Sequence, residues 1–173
     1  MEVVRFHVRD AAIIELFLQT GMRLSELCRL RLTDVDLPGK ANPDLGNVGQ
    51  ATIFGKGRKE RTVTLNWKAC QALKAYYAIR PDVPLFEIFI TKFKTAITPR
   101  SVEKLLSKYL TQAGITGASV HTMRHTFATA HVRKKTDLKV VQTALGHANI
   151  ATTSRYVGMV REEMDKQLQE NAL

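Results

Sequence analysis

The chain has 173 residues, enough to bury a sizeable hydrophobic core in one domain. It carries 26 Lys and Arg against 16 Asp and Glu, a net charge of +10. A domain this basic is typical of proteins that bind a polyanion, nucleic acid first and a membrane surface second. The sequence has no run of 18 apolar residues and no clear basic amphipathic helix, so we expect no membrane-spanning segment and no membrane partner.

The two cysteines, Cys28 and Cys70, form neither a CxxC pair nor a disulfide framework. Both lie in apolar surroundings typical of helices, which predicts buried free thiols in a reducing compartment. The N-terminal residues are too charged for a signal peptide. These features together predict a cytoplasmic location.

The first third of the chain predicts two helices followed by a loop. Residues 9–19 place apolar side chains at helical spacing, with Asp10 in the expected first turn and Gly21 as the stop. Ser25 is expected to cap a short second helix. Residues 38–49 are rich in turn-forming types and predict a loop.

A small β-hairpin with a basic tip follows this loop. Residues 52–54 and 61–65 are typical of strands, and Gly55-Lys56-Gly57 is expected to turn between them. The expected basic residues of the tip are Lys56, Arg58, Lys59 and Arg61.

The rest of the chain is predominantly helical in pattern. Residues 67–79, 121–133 and 137–145 predict helices, and another begins at Thr98 and Pro99, whereas residues 85–90 are either a strand or a buried extended segment. A further short helix is expected over 148–156, and 160–171 favour a terminal helix. We therefore predict a mostly α fold with a small antiparallel β-sheet (α+β). Residues 1–173 are expected to form one domain, with a core at 1–158 and a helical tail at 159–173.

Two histidines, His121 and His125, lie four residues apart and share a helix face, the spacing of a metal-binding pair. The zincin pattern requires Glu after the first histidine, but Thr122 occupies that position, and no carboxylate or cysteine cluster accompanies the pair. We therefore expect no metal. A metal-dependent hydrolase built on this pair stays an alternative, whose activity would be lost on chelation.

Two arginines and a tyrosine have the chemistry of a phosphate site. Arg23 follows the expected helix stop, and Arg124 lies three residues after His121 on one helix face. A guanidinium binds two phosphate oxygens at once and keeps its charge, although either arginine alone is more typical of a surface. Tyr156 is a weak nucleophile by itself, since roughly a thousandth of a free tyrosine is ionised at pH 7, and it needs neighbouring cations.

Four segments, TGMRLSEL, GKGRKERTVTL, HTMRHTFAT and LGHANIATTSRY, resemble in order and spacing the signature boxes of the tyrosine recombinases, the phage-integrase and Xer-like family. The resemblance extends from about residue 8 to residue 160. It implies the catalytic-domain fold of that family and a site-specific DNA recombinase or integrase. It places the family's catalytic residues on Arg23, Lys56, His121, Arg124, His147 and Tyr156.

The resemblance also implies a mechanism without a cofactor. The tyrosine would attack a DNA phosphodiester, which leaves a 3′-phosphotyrosine and a free 5′-hydroxyl. The 5′-hydroxyl of a second strand would then attack the phosphotyrosine, form a new phosphodiester and release the tyrosine. Arg23 and Arg124 would hold the non-bridging oxygens, and Lys56 would protonate the leaving oxygen. His121 would orient or deprotonate the tyrosine, and His147 would bond to the phosphate.

Double-stranded DNA is the partner that this resemblance implies, with Arg58, Lys59 and Arg61 as further DNA contacts and no small-molecule substrate. Residues 160–171 would dock on a neighbouring protomer in a tetramer. Gly158 stands where many members have a histidine, but that position is not one of the core catalytic ones. The resemblance leaves the family's N-terminal DNA-clamping domain without a counterpart in this chain, so we expect a piece of a longer protein. A type IB topoisomerase-like nicking activity and a catalytically silent or regulatory DNA-binding domain are the alternatives.

Overall fold

The computed structural model describes residues 2–39, 48–55, 60–146, 153–154 and 156–162, with side chains from residue 7 onward. The expected hairpin tip at 56–59, most of the expected loop at 38–49 and the tail beyond 162 lie outside the described residues. The described part confirms the mostly helical class with a small antiparallel sheet.

The described elements follow one another in the order α1, α2, β1, β2, β3, α3, α4, α5, α6. Their bounds are α1 Glu2–Thr20, α2 Leu24–Arg29, β1 Val35–Asp36, β2 Gly49–Phe54, β3 Glu60–Leu65, α3 Trp67–Tyr77, α4 Pro99–Gln112, α5 Val120–Arg133 and α6 Leu138–Leu145. Residues 153–154 and 156–162 are also helical and form the final helical stretch.

The start of the chain differs from the sequence prediction in two places. Because α1 begins at Glu2, Asp10 lies in mid-helix, where it is buried and accepts hydrogen bonds from Arg9 Nε (2.9 Å) and the Tyr109 hydroxyl (3.1 Å). Ser25 does not cap α2. Arg23 occupies the cap position instead, since α2 begins at Leu24.

The sheet has three antiparallel strands in the order β1-β2-β3, one strand more than the predicted hairpin. Register runs from Gly49 opposite Leu65 to Phe54 opposite Glu60. Gly49 is the first residue of β2 rather than a loop residue, and it lies so close to β1 that a Cβ there would stand 2.9 Å from the Asp36 carbonyl oxygen. The run 85–90 is mostly irregular and contributes only isolated bridges to Arg31 and Ala96.

Most predicted helix boundaries agree with the structure. Thr98 caps α4 by accepting from the Ser101 amide (3.2 Å), and Pro99 is the first residue of that helix. Gly21 and Gly146 end α1 and α6 in the left-handed region, with φ of +61° and +63°. Cys28 and Cys70 are buried free thiols, as predicted.

Two hydrophobic clusters hold the described residues together. The larger one joins α1 and α3 to the sheet, α2 and α4. The smaller one consists of Phe127, Ala128, Val141, Leu145 and Tyr156, and so joins α5, α6 and the final helical stretch. None of the described helices is both long and apolar enough to span a membrane.

Gly21 lies where the end of α1 meets the smaller cluster. A Cβ on Gly21 would stand 2.6 Å from Phe127 Cδ1 and 2.9 Å from Leu145 Cδ2. Gly114 has the same type of backbone, with φ of +69°, but a Cβ there would meet nothing within 4 Å. The two glycines therefore separate the cost of backbone strain from the cost of a steric clash.

We expect Gly114→Ala to lower the free energy of unfolding by roughly 1 kcal/mol, the cost of the left-handed region for alanine. Gly21→Ala adds overpacking to that strain and should lower it by roughly 2–4 kcal/mol. Urea unfolding of both variants and the wild type measures the difference. Equal losses would contradict the close packing of Gly21 against Phe127 and Leu145.

Candidate active site

Arg23 is aimed by the tight connection between α1 and α2. The left-handed Gly21 and the fully buried Met22 fix the backbone just before it. Its Nη1 donates to Glu26 Oε1 (2.9 Å) and its Nη2 to the Gly146 carbonyl (3.2 Å). The Arg23 side chain is still 43% exposed, so it can reach a ligand from this position.

Arg124 lies on α5 and is buried. Its Nη1 donates to the Gly21 carbonyl (2.7 Å) and its Nη2 to the Leu145 carbonyl (2.6 Å), which ties α5 to the end of α1 and the end of α6. Burial, followed by the positive charge of Arg23, lowers the pKa of Arg124 to about 10. The guanidinium therefore stays charged at neutral pH, and a bound anion would relieve the repulsion from Arg23.

A third arginine and a carboxylate complete this group, and sequence reasoning missed the carboxylate. Arg61 donates from Nη1 to Glu26 Oε1 and from Nη2 to Glu26 Oε2, both at 2.8 Å, and from Nε to the Ala144 carbonyl at 3.0 Å. Burial alone would raise the pKa of Glu26, but the hydrogen bonds from Arg61 and Arg23 and the charge of Arg61 outweigh it and lower the pKa to about 2. The sequence signal for this partner was the position of Glu26, an acid three residues after Arg23 on a short predicted helix.

The C-terminal end of α6 gathers all three arginines. Arg61 bonds to the carbonyl of Ala144, Arg124 to that of Leu145 and Arg23 to that of Gly146. The last carbonyls of a helix lack partners within the helix and carry its partial negative charge, so cations are favoured there. We call Glu26, the three arginines and these three carbonyls the arginine cluster.

A cavity of about 510 Å³ opens between α2, α4 and the start of α5. Arg23, His121 and Arg124 all line it. The structure thus brings together three of the six residues that the resemblance identified as catalytic. The cluster sets three guanidinium charges against one carboxylate, which leaves positive charge at this cavity for an anionic ligand.

Tyr156 is close to this cavity but is not exposed to solvent. The His125 ring contacts both neighbouring rings edge-on, with centroid distances of 4.2 Å to His121 and 5.3 Å to Tyr156. His121 is exposed, whereas Tyr156 is 0% exposed within the smaller hydrophobic cluster. Across the described ranges, no three His, Cys, Asp or Glu side chains gather as a metal site would need.

The remaining predicted site residues divide into two sets. Lys56, Arg58, Lys59 and His147 lie outside the described residues. Arg61 lies within β3, as the predicted strand 61–65 requires. Its expected grouping with the basic tip is wrong, because its side chain is only 11% exposed and bonds to Glu26.

Comparison with known proteins gives one consistent family. The sequence profile of the phage integrase family matches residues 2–163. The tyrosine recombinase XerC of Thermodesulfovibrio yellowstonii is 39% identical over 157 residues, which cover 86% of this chain and 49% of that protein. The tyrosine recombinase XerC of Myxococcus xanthus is 35% identical over 168 residues, 92% of this chain and 53% of that protein. The chain thus spans about half the length of these relatives.

Solved structures agree with the sequence matches. The XerA recombinase has a TM-score of 0.80 at 28% identity, covering 99% of this chain and 61% of that one. The XerH site-specific recombinase, in a post-cleavage complex with palindromic difH substrate, has a TM-score of 0.79 at 27% identity. It covers 94% of this chain and 46% of that one.

The buried charge of Glu26 predicts a pH dependence of stability. Its folded pKa of about 2 lies below the ordinary value of 4.5, so its contribution is full above pH 4.5 and disappears as the pH falls through about 2. That shift corresponds to roughly 3 kcal/mol. The difference in unfolding free energy between wild type and Glu26→Gln should therefore shrink by roughly 2–3 kcal/mol from pH 5 toward pH 2.

Urea unfolding at a series of pH values measures this difference. Asp82→Asn, which removes an exposed carboxylate outside the cluster, is the matched control. A wild-type advantage over Glu26→Gln that stays constant across this range would show that Glu26 is not held as a paired anion.

Proposed function

The chain belongs to the phage integrase family, and from that premise we propose that it is the catalytic part of a site-specific DNA recombinase. It cuts and rejoins DNA strands through a covalent 3′-phosphotyrosine intermediate. The observation that carries this proposal is that Arg23, His121 and Arg124 line one and the same cavity. Tyr156 is linked to that cavity through the His125 ring.

The two arginines at the cavity suit a phosphodiester. Arg23 and Arg124 are held apart by separate backbone anchors and both face the cavity, so they can bond the two non-bridging oxygens. Their positive charge stabilises the additional negative charge that develops when the phosphorus becomes five-coordinate. Since the protein supplies these cations, the proposed reaction needs no cofactor.

Lys56 and His147 are assigned from the sequence and from the elements that lead to them. Lys56 follows β2, which ends at Phe54, and it would protonate the leaving 5′ oxygen. His147 follows Gly146, whose carbonyl accepts from Arg23, so the chain enters this segment beside the arginine cluster. His147 would donate a hydrogen bond to the phosphate from there.

Tyr156 needs a local movement before it can react. A fully buried hydroxyl cannot touch a DNA phosphate, so the final helical stretch must shift when DNA occupies the cavity. His121 is the base or the orienting group for Tyr156. In the described arrangement, the His125 ring connects the two.

The proposed partner is double-stranded DNA, and XerH was crystallised with its palindromic difH substrate. Arg58 and Lys59 would extend the basic surface along the hairpin tip and bond to backbone phosphates. A reaction on DNA and two free thiols fit the proposed cytoplasmic location.

The test of function is covalent capture of DNA. The chain is incubated in EDTA with a pool of nicked duplexes that carry a randomised centre, so that the cleaved end is lost. We expect protein joined to a DNA 3′ end for the wild type and none for Tyr156→Phe, which removes only the hydroxyl. Denaturing gels and sequencing of the captured strands provide the measurement.

Tyr109→Phe is the matched control, since it removes a tyrosine hydroxyl that bonds to Asp10 rather than one near the cavity. It should capture DNA as the wild type does. Capture that survives in Tyr156→Phe would exclude this tyrosine as nucleophile, and a wild type that captures none of the pool would reject the proposed activity.

We also propose that the chain self-associates on DNA through its C-terminal tail. The described start of the tail exposes Met159, which is 49% exposed, and Val157 just before it is 39% exposed.

Removing residues 163–173 should leave binding to one site intact but abolish the assembly of several protomers on paired sites. Sedimentation of protein–DNA complexes measures this, and unchanged assembly would reject a role of the tail.

A further inference from the structure

Arg61 lies on the inner face of a strand. In β3 the residues Glu60, Thr62 and Thr64 are exposed, while Val63 and Leu65 are buried. Side chains in a strand alternate between faces, so Arg61 shares its face with the two buried residues. A charged side chain on that face requires partners within the protein.

Each nitrogen of the Arg61 guanidinium has such a partner. Nη1 and Nη2 each donate to one oxygen of Glu26 at 2.8 Å, and Nε donates to the Ala144 carbonyl at 3.0 Å. The side chains are 11% and 3% exposed, so this two-bond pair is shielded from water. A DNA phosphate that replaced Glu26 on Arg61 would leave this buried carboxylate with Arg23 as its remaining partner, so the pair opposes a direct contact between Arg61 and DNA.

Arg61 contacts both groups that hold the Arg23 guanidinium, Glu26 by hydrogen bonds and Gly146 by packing. Glu26 Oε1 accepts from Arg23 Nη1 at 2.9 Å, and Glu26 Oε2 accepts from the Arg23 backbone amide at 2.7 Å. A Cβ on Gly146 would lie 3.0–3.1 Å from Arg61 Nη1, Cδ and Cζ, so Arg61 packs directly on the residue whose carbonyl Arg23 bonds. Arg61 therefore fixes both anchors of the Arg23 guanidinium.

We infer that Arg61 is a positioning residue rather than a DNA contact. It holds Glu26 and the end of α6 in place, and so aims Arg23 and the segment that leads to His147. This inference rests on the proposed function. It replaces the sequence assignment of Arg61 to DNA.

Lysine should not substitute for arginine here. A guanidinium reaches both oxygens of one carboxylate and a carbonyl at the same time, whereas an ammonium is a point charge on a flexible stem. Arg61→Lys keeps the positive charge and so preserves any long-range attraction to DNA. It loses the geometry that fixes Glu26.

The experiment measures DNA binding and DNA cleavage separately. Arg61→Lys, Arg61→Gln, Glu26→Gln, the Glu26→Gln/Arg61→Gln double variant and Arg58→Gln are compared with the wild type on one captured nicked duplex. The readouts are the single-turnover cleavage rate at saturating DNA, the Kd, and the slope of log Kd against log salt. Thermal melts set a temperature at which every variant is folded, and the double variant avoids an unpaired buried charge.

A positioning role predicts slower chemistry with unchanged binding. Arg61→Lys and Arg61→Gln should cleave about a hundredfold more slowly, the size of effect that a small misplacement causes. Their Kd and salt slope should stay within twofold of the wild type. The double variant should be no slower than the slower single variant, because Arg61 acts through Glu26.

Arg58→Gln should behave in the opposite way, with weaker binding and a salt slope reduced by about 1, as expected for a lost phosphate contact. The same behaviour in Arg61→Gln would overturn the inference, as would an Arg61→Lys variant as fast as the wild type. A wild type that never joins to DNA would overturn the proposed function as well, whereas these two outcomes in an active protein overturn the inference alone.

Discussion

The described half of the candidate site depends on one buried carboxylate. Glu26 is almost fully buried, yet its pKa lies at about 2 because Arg61 and Arg23 both bond to it. A buried anion is costly unless its oxygens are fully bonded, so the geometry of both arginines follows from the position of Glu26. That carboxylate also accepts the Arg23 backbone amide, and thus fixes the start of α2 and the Arg23 side chain together.

The C-terminal end of α6 is the second anchor of the arginines, and it attracts them through the partial negative charge of its carbonyl groups. Three consecutive carbonyls there bond three arginines that come from α2, β3 and α5. Elements distant in sequence meet at one point because a helix C-terminus both attracts cations and offers unpaired acceptors. Gly146 has a left-handed backbone and no side chain, so Arg61 can occupy the space that a Cβ would fill.

The sequence predicts most of the helix boundaries, and the predictions that were wrong have physical reasons. Helix stops and the Thr98 cap follow from local chemistry, and the sequence predicted them correctly. Ser25 is not the cap because α2 already begins at Leu24, where the Leu27 amide bonds to the Arg23 carbonyl and Glu26 accepts from the Arg23 amide. Arg61 points inward because strand alternation sets it on the face of Val63 and Leu65, whereas its charge and its basic neighbours are typical of an exposed turn. Arg61 and Glu26 are 35 residues apart, a separation across which local patterns carry no information.

The arginine cluster and the smaller hydrophobic cluster differ in how firmly they hold the site residues. The arginines are fixed by short hydrogen bonds to backbone carbonyls, whereas Tyr156 is held in a small apolar cluster beside the His125 ring. Local opening costs least where few apolar contacts are lost, so the stretch that carries Tyr156 can move while the arginine cluster stays intact. In the proposed reaction, the buried Tyr156 hydroxyl is kept from any phosphate until the stretch that carries it moves. A phosphate bound by the arginines would meet Tyr156 only after that movement.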